Sequence, residues 1–333
     1  MRQLKGISEP ELLRALDSAG RVLILGHISP DGDCVGSMLA LGAILKKRGK
    51  TVSLCLQDPV PANLRFLPGA DRILPPGQLE GERFDLGVAV DCADEGRMGE
   101  AARLFRLCPA TAQIDHHATN PLYAGVNEVD GKASCAGCMI WRLMGEYHME
   151  PDDMIAECLY SAISTDTGRF CFSCTDEETF LCASSIAAAG IDINRCAREI
   201  HLLKEAPHLK LLGRSLASLR FFADGRCTSM VIGAEDYVAS GAGREHSDGI
   251  INYALNIPGV MMACFADLSA PDAVRISFRA VEPCHVNDIA ALFGGGGHAL
   301  AAGCRTGGDP REILRRAEEA MEAQVREMTD GME

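Results

Sequence analysis

The sequence predicts an α/β fold, with a mostly parallel sheet in the first half and a smaller α+β unit at the end. Three observations carry this. Continuous apolar runs alternate with helical patterns through the first half, the signature of βα units. From about residue 224 the alternation gives way to short strand-like pieces. The stretch between them reads as helical and charged. A length of 333 residues is a soft prior for about two domains. The expected organisation is a catalytic domain over 1–185, a helical connector over 186–223 and a substrate-binding domain over 224–333.

Val22-Leu23-Ile24-Leu25 is continuously apolar, as a strand buried on both faces must be. The turn Ser29-Pro30-Asp31-Gly32 follows it. Val35, Met38, Leu39, Gly42 and Leu45 then share one helical face, which stops at Gly49. Further strands are expected at Thr51 to Leu56, Leu86 to Val90 and Ala112 to Ile114, with helices at about 134–149 and 152–164. In the connector, Ile186, Ile191, Ile200, Leu203, Leu211 and Leu212 stand among charges. Beyond it come strand-like pieces at Ser229 to Ile232, Met261 to Phe265 and Val274 to Phe278. A glycine run then ends at His298, and a charged helix runs from Pro310 to about Met328.

Composition narrows the function. No apolar run approaches the roughly 18–20 residues that span a bilayer, and Met1 to Gly6 lead into no apolar signal core. A cytoplasmic protein without a membrane partner is expected. The 15 cysteines are scattered through apolar stretches such as Leu54-Cys55-Leu56, which fits small buried hydrophobes better than a disulfide framework. The spacings Cys135/Cys138 and Cys171/Cys174 have no paired histidine nearby and read as structural rather than zinc-binding. The net charge of −14, without a Lys/Arg stripe, argues against a grip on long duplex nucleic acid and for small anionic substrates.

Acids and histidines gather where the expected strands end, the edge at which open α/β sheets bind ligands. The first strand runs into His27, Asp31 and Asp33, the third ends at Asp91, and the fourth at Asp115-His116-His117. A later helical stretch ends at Asp166. Singly each has an ordinary reading; Asp33 suits a cap of the following helix. Together they would repel one another unless divalent cations intervened. The mixed carboxylate and imidazole set suits Mn²⁺ first, with Mg²⁺ or Co²⁺ as alternatives, and is large enough for two ions sharing one Asp. Cys34 and Cys92 lie beside it and are expected to point away.

On these residues the sequence resembles the DHH phosphoesterase family in its DHH–DHHA1 form. The motifs are His27-x-x-x-Asp31-x-Asp33, Asp91, Asp115-His116-His117, Thr165-Asp166-Thr167-Gly168 and the downstream Phe293-Gly294-Gly295-Gly296-Gly297-His298. Within the family it is most similar to the oligoribonuclease and pAp-phosphatase branch, where pAp is adenosine 3′,5′-bisphosphate. The resemblance implies that His27, Asp31 and Asp91 hold one metal, and Asp33, Asp91, His116 and Asp166 the second. It implies an orienting role for Asp115 and a phosphate or leaving-group contact for His117. It implies nucleotide binding by Arg279, Gly295, Gly296, Gly297 and His298, with the substrate in a cleft between the two domains. The implied partners are short single-stranded oligonucleotides or pAp, and a homodimer is allowed. Ala280 and His285 depart from the family's usual Ser and Asp, which bears on fine specificity rather than metal chemistry.

Other readings fit less well. Gly49-Lys50-Thr51 ends like a P-loop, but Ile44 occupies the place of its first glycine. A manganese pyrophosphatase would share the first motifs but carry a basic clamp instead of the glycine-rich turn. A processive nuclease would be longer and less acidic, and a non-catalytic nucleotide-binding regulator would not need the full ligand set.

Overall fold

The computed structural model describes residues 10–270 and 273–330. The chain forms two compact units, Met1–Leu203 and Lys204–Glu333, divided inside the expected connector.

The first unit runs α1 (Pro10–Ser18), β1 (Arg21–Leu25), α2 (Gly32–Lys47), β2 (Thr51–Cys55), β3 (Ile73–Leu74), β4 (Leu86–Val90), α3 (Ala102–Leu107), β5 (Ala110–Asp115), β6 (Val126–Val129), α4 (Ala136–Glu146), α5 (Asp153–Asp166), α6 (Glu177–Ala188) and α7 (Ile193–Ala197). Its six strands lie in the order β3-β2-β1-β4-β5-β6, all parallel. The order reverses between β1 and β4, which creates a crevice at their C-terminal ends. β4, and β1 after the exposed Arg21, are apolar because both sheet faces are covered. α2, α4 and α5 cover one face with Met38, Leu41, Ile140 and Leu159, while Met98, Leu104 and Phe105 cover the other. α2 and α5 approach so closely that a Cβ on Gly36 would overlap the Cys158 carbonyl oxygen. Two strands of this unit escaped the sequence reading: β3 has only two residues, and β6 (Val-Asn-Glu-Val) is half polar.

The second unit runs α8 (Ala206–Ala217), β7 (Arg220–Phe222), β8 (Cys227–Ile232), α9 (Ala234–Ser240), α10 (Ile250–Leu255), β9 (Met262–Ala270), β10 (Ala273–Ala280), α11 (Asn287–Ala291), β11 (Gly296–His298), β12 (Ala301–Thr306) and α12 (Pro310–Asp330). Its sheet order is β11-β12-β10-β9-β8-β7, antiparallel except for the β8–β9 pair. One face is sealed by Ile313, Ala317, Met321 and Val325 of α12 against Val274, Ile276 and Phe278. On the other face Leu211, Ile250 and Ala254 cover Met230 and Phe265 of β8 and β9. β10 alternates cleanly: Val274, Ile276, Phe278 and Ala280 are buried, whereas Arg275, Ser277 and Arg279 face the other way.

Thirteen of the 15 cysteines are buried and none is bonded to another; only Cys171 and Cys174 are exposed. Cys135 caps α4, its sulfur accepting from the Cys138 N–H at 3.3 Å. Among the described residues no helix is long and apolar enough to cross a membrane.

Candidate functional site

β1 delivers the chain into the loop that carries His27, and α2 begins five residues later. The cap of α2 is Asp31, whose carboxylate accepts from the Cys34 N–H at 3.0 Å. Asp33, read from sequence as a candidate for that role, does something else. It is fully buried in the first turn of α2, and its carboxylate accepts from the N–H groups of Ala136 (2.7 Å) and Gly137 (2.9 Å) at the start of α4. The Ser37 hydroxyl adds a third hydrogen bond at 2.8 Å. The positive end of α4 thereby holds this carboxylate in place. Its oxygens still have lone pairs to offer.

Asp91 follows β4 on the other side of the crevice, with φ of 57°. A left-handed backbone at a residue that is not glycine is a strain that functional sites commonly hold. Its two oxygens face different histidines. Oδ2 lies 3.3 Å from His27 Nε2, and Oδ1 lies 3.4 Å from His116 Nε2. Oδ1 is buried without a hydrogen-bond partner of good geometry. His27 Nε2 is also 3.7 Å from Asp31 Oδ1. His116 Nε2 is 3.1 Å from Asp166 Oδ2 and 3.8 Å from Asp33 Oδ2. The structure therefore brings all six sequence-predicted metal ligands together around Asp91. His27 Nδ1 lies 2.8 Å from the Ile28 carbonyl oxygen. If Nδ1 carries the proton and donates there, the Nε2 lone pair points into the cluster.

The charge balance fits a cation. Burial, then the carboxylates of Asp91 and Asp31, push Asp166 up to about 7, with His116 opposing. Asp33 is likewise raised by burial and by the charges of Asp91 and Asp166. Burial opposes protonation of His116, but its close approach to Asp91 and the charges of the surrounding carboxylates outweigh this and lift it to about 10. The crowded carboxylates thus call for a positive countercharge, which a divalent ion supplies naturally.

Beside the cluster, His117 Nδ1 pairs with Asp115 Oδ1 at 2.8 Å. Asp115 Oδ2 accepts from Asn120 Nδ2 at 2.6 Å, so Asp115 is held on both sides. This directs His117 Nε2 away from Asp115, and the Asp115 hydrogen bond raises the His117 pKa despite burial. Sequence reasoning missed three neighbours. Cys34 does not point away: its sulfur forms a group with His27 and Asp91 whose ligand atoms all lie within 4.8 Å of one another. The α-helical turn from Asp31 puts it there. Arg97 places Nη2 3.2 Å from His27 Nδ1, and its carbonyl accepts from the Ile28 N–H at 2.7 Å. Asn120 has only its position three residues after His117 as a sequence signal.

In the second unit the register sets Arg279, Ala301 and His298 side by side across β10, β12 and β11. His298 is exposed and Arg279 half-buried. Arg279 Nη1 donates to the Phe278 carbonyl at 3.0 Å, and burial lowers its pKa. Gly295 lies so close to β12 that a Cβ would overlap the Gly303 carbonyl oxygen. Gly296 and Gly297 pair with Gly303 and Ala302. Each predicted nucleotide-binding residue is therefore on or beside the open end of this sheet.

Residues 21–163 match the DHH family, N-terminal domain. The chain is 29% identical, over 96% of its length and 93% of the relative's, to the bifunctional oligoribonuclease and PAP phosphatase NrnA of Thermus thermophilus. Its identity to the Bacillus subtilis protein of the same name is 25%, over 88% of this chain and 91% of that one. The crystal structure of an exopolyphosphatase-related protein from Bacteroides fragilis matches with a TM-score of 0.87 at 24% identity. That match covers 95% of this chain and 96% of the other, and it shows a shared fold.

Proposed function

Residues 21–163 belong to the DHH family as its N-terminal domain, and from that premise we propose that the chain is a metal-dependent phosphoesterase. It hydrolyses very short oligonucleotides to 5′-mononucleotides and converts pAp to AMP. The observation that carries this is Asp91, a strained, buried carboxylate with one oxygen toward each of two histidine–carboxylate groups and one oxygen orphaned. The names of the relatives, oligoribonuclease and PAP phosphatase, support the substrate class.

His27, Asp31 and Asp91 would hold one ion, and Asp33, Asp91, His116 and Asp166 a second, with Mn²⁺ the best match to the mixed donors and Mg²⁺ or Co²⁺ next. Divalent ions supply Lewis-acid charge that activates water and stabilises in-line phosphoryl displacement. The protein's own groups do the rest. His117, fixed through Nδ1 by Asp115, presents Nε2 to the scissile phosphate or its leaving oxygen. Asn120 keeps Asp115 from turning. Arg279 and His298 grip the nucleotide over the glycine floor of Gly295, Gly296 and Gly297.

Substrates should be short because the chain carries a net charge of −14, and phosphates beyond the site gain nothing from it. The test is turnover with added Mn²⁺ of a dinucleotide, pAp, pyrophosphate and a single strand of about 24 nucleotides. The highest kcat/KM is expected at about two to five nucleotides, with pAp also cleaved and duplexes inert. Preference for the long strand with steep salt dependence, or for pyrophosphate, would overturn the reading.

A further inference from the structure

The turn Glu95–Ala101, which follows β4 and Asp91, is stitched to the loops after β1 and β2. The Asp94 carboxylate accepts from the Arg97 N–H at 3.1 Å, and the Arg97 carbonyl accepts from the Ile28 N–H at 2.7 Å. Gln57 Oε1 accepts from the Glu100 N–H at 2.7 Å. Gly99, at φ of 57°, fits so tightly that a Cβ would overlap the Gln57 amide and the Ile28 side chain. The backbone of Arg97 is thus pinned beside His27. Its side chain is exposed, with Nη2 3.2 Å from His27 Nδ1. That nitrogen already has the Ile28 carbonyl oxygen at 2.8 Å. A carbonyl only accepts, so Nδ1 donates to it, and Arg97 meets a second donor there instead of an acceptor. The ion pairs of the cluster join His27, His116 and His117 to their aspartates, and among the described residues none uses Arg97. A guanidinium that stays charged therefore stands beside crowded carboxylates and pairs with none of them. His27 lies at Asp91 Oδ2, whereas His117 Nδ1 is 3.8 Å from Oδ1. Arg97 and His117 thus flank the shared carboxylate from its two oxygens.

We propose that Arg97 is a catalytic residue whose guanidinium donates to the non-bridging oxygens of the scissile phosphate. The inference rests on the phosphoesterase reading above. When water displaces the ester oxygen, charge is spread over those oxygens, and a forked donor on a pinned backbone meets two of them at once. Arg97 gives up no proton in this step, so the atoms of the hydrolysis balance without it. Its role is to hold charge on the His27 side of Asp91, opposite His117. The carboxylates there are occupied by the histidines and would be occupied by the ions, which leaves the substrate phosphate as the anion free to pair with Arg97. A lysine is a poor substitute, because one ammonium cannot span two oxygens in a plane.

The test compares wild type, Arg97→Ala and Arg97→Lys as full chains loaded with Mn²⁺. The hydrogen bonds that pin the turn use the Arg97 backbone, so the variants should fold and keep the wild-type metal content. Turnover of 5′-phosphorylated diadenylate should fall at least about 100-fold in Arg97→Ala, the loss typical of one donor to a developing oxyanion. Arg97→Lys should recover only part of it. Guanidinium ion added below denaturing concentration should restore turnover to Arg97→Ala, and sodium chloride at the same ionic strength should not. Calorimetric binding of inorganic phosphate should weaken about tenfold in Arg97→Ala, as for one charged hydrogen bond lost. Turnover within about threefold of wild type, or unchanged phosphate affinity, overturns the proposal. So does loss of Mn²⁺ without rescue by guanidinium, which would mean that Arg97 acts only by supporting His27. If wild type turns over no phosphate ester, the phosphoesterase reading fails and the phosphate titration alone decides whether Arg97 holds the anion. A wild type that binds no phosphate overturns both.

Discussion

In the first unit the polar chemistry sits at the strand ends of a sheet covered on both faces. In the second it is spread over β10, β11 and β12, on the part of a sheet face that the cover over β8 and β9 leaves exposed. The loops after β1, β4 and β5 converge on the crevice where strand order reverses, and α5 ends beside them, so three further aspartates and two histidines meet around Asp91. Convergence of like charge in a buried place suits a small cation. On β10, β11 and β12 the residues lie in rows set by register, with Arg279 beside Ala301 and Arg275 beside Arg305. Rows on an open face suit an extended anion. The lesson is that strand ends concentrate charge, whereas strand faces distribute it.

The largest expected effect tests the first half of that comparison. Asp91→Asn removes the shared carboxylate and should lower kcat/KM by more than about 100-fold, beyond the loss typical of outer-shell partners. Bound metal should fall with it. The metal-free variant should stay folded and unfold no earlier than wild type. It loses a carboxylate crowded by others, and asparagine tolerates the left-handed backbone at φ of 57°. Retained turnover would overturn the shared-carboxylate role, and a collapse of the far-ultraviolet circular dichroism would show that Asp91 organises the fold instead.

A smaller effect should appear in the second unit. Gly295→Ala would push β11 from β12, because its Cβ overlaps the Gly303 carbonyl. Displacing the glycine floor should cost about 10- to 100-fold in kcat/KM through lost positioning. Metal content should be unchanged. If Gly295→Ala lost metal, the separation of roles between the two units would fail.

Much of this was legible in sequence, and the exceptions share a cause. The runs at 22–25 and 86–90 gave β1 and β4 because burial on both faces leaves no polar interruption. Five of the six candidate ligands were legible because parallel strands end at one edge, and Asp166 because its helix ends beside them. Asp33 shows where local reasoning stops. Its spacing from Asp31 suggests a cap for its own helix, yet its partners are Ala136 and Gly137, over a hundred positions away. Arg97, Asn120 and the facing arginines 275 and 305 were missed for the same reason: their meaning lies in tertiary neighbours or strand register. Cys34 was misjudged because its direction follows from the helical turn that Asp31 caps.

The smallest expected effect concerns pH and separates a cation site from a merely acidic cluster. Asp166 is raised from 3.8 to about 7, so in the metal-free protein the folded state holds a proton that the unfolded chain has released. That contribution to stability is lost as pH rises through 7. His116 is raised from 6.5 to about 10, so its contribution is complete below 6.5 and lost as pH rises through 10. Asp31 and Asp115 are lowered, with burial opposing and their hydrogen bonds to His27 and His117 prevailing. Their opposite dependence falls below the ordinary carboxylate range and does not enter. Metal-free stability should therefore decline between about pH 6 and pH 9. Divalent ions need the same groups deprotonated, so Mn²⁺ competes less with protons as pH rises. The thermal shift produced by Mn²⁺ should grow by a few degrees, roughly the response to 1 kcal/mol, across that interval. Paired melting curves with Mn²⁺ and with a chelator decide the matter. A shift that stayed flat or shrank toward pH 9 would mean that the ion binds elsewhere, and that protons alone balance the charges around Asp91.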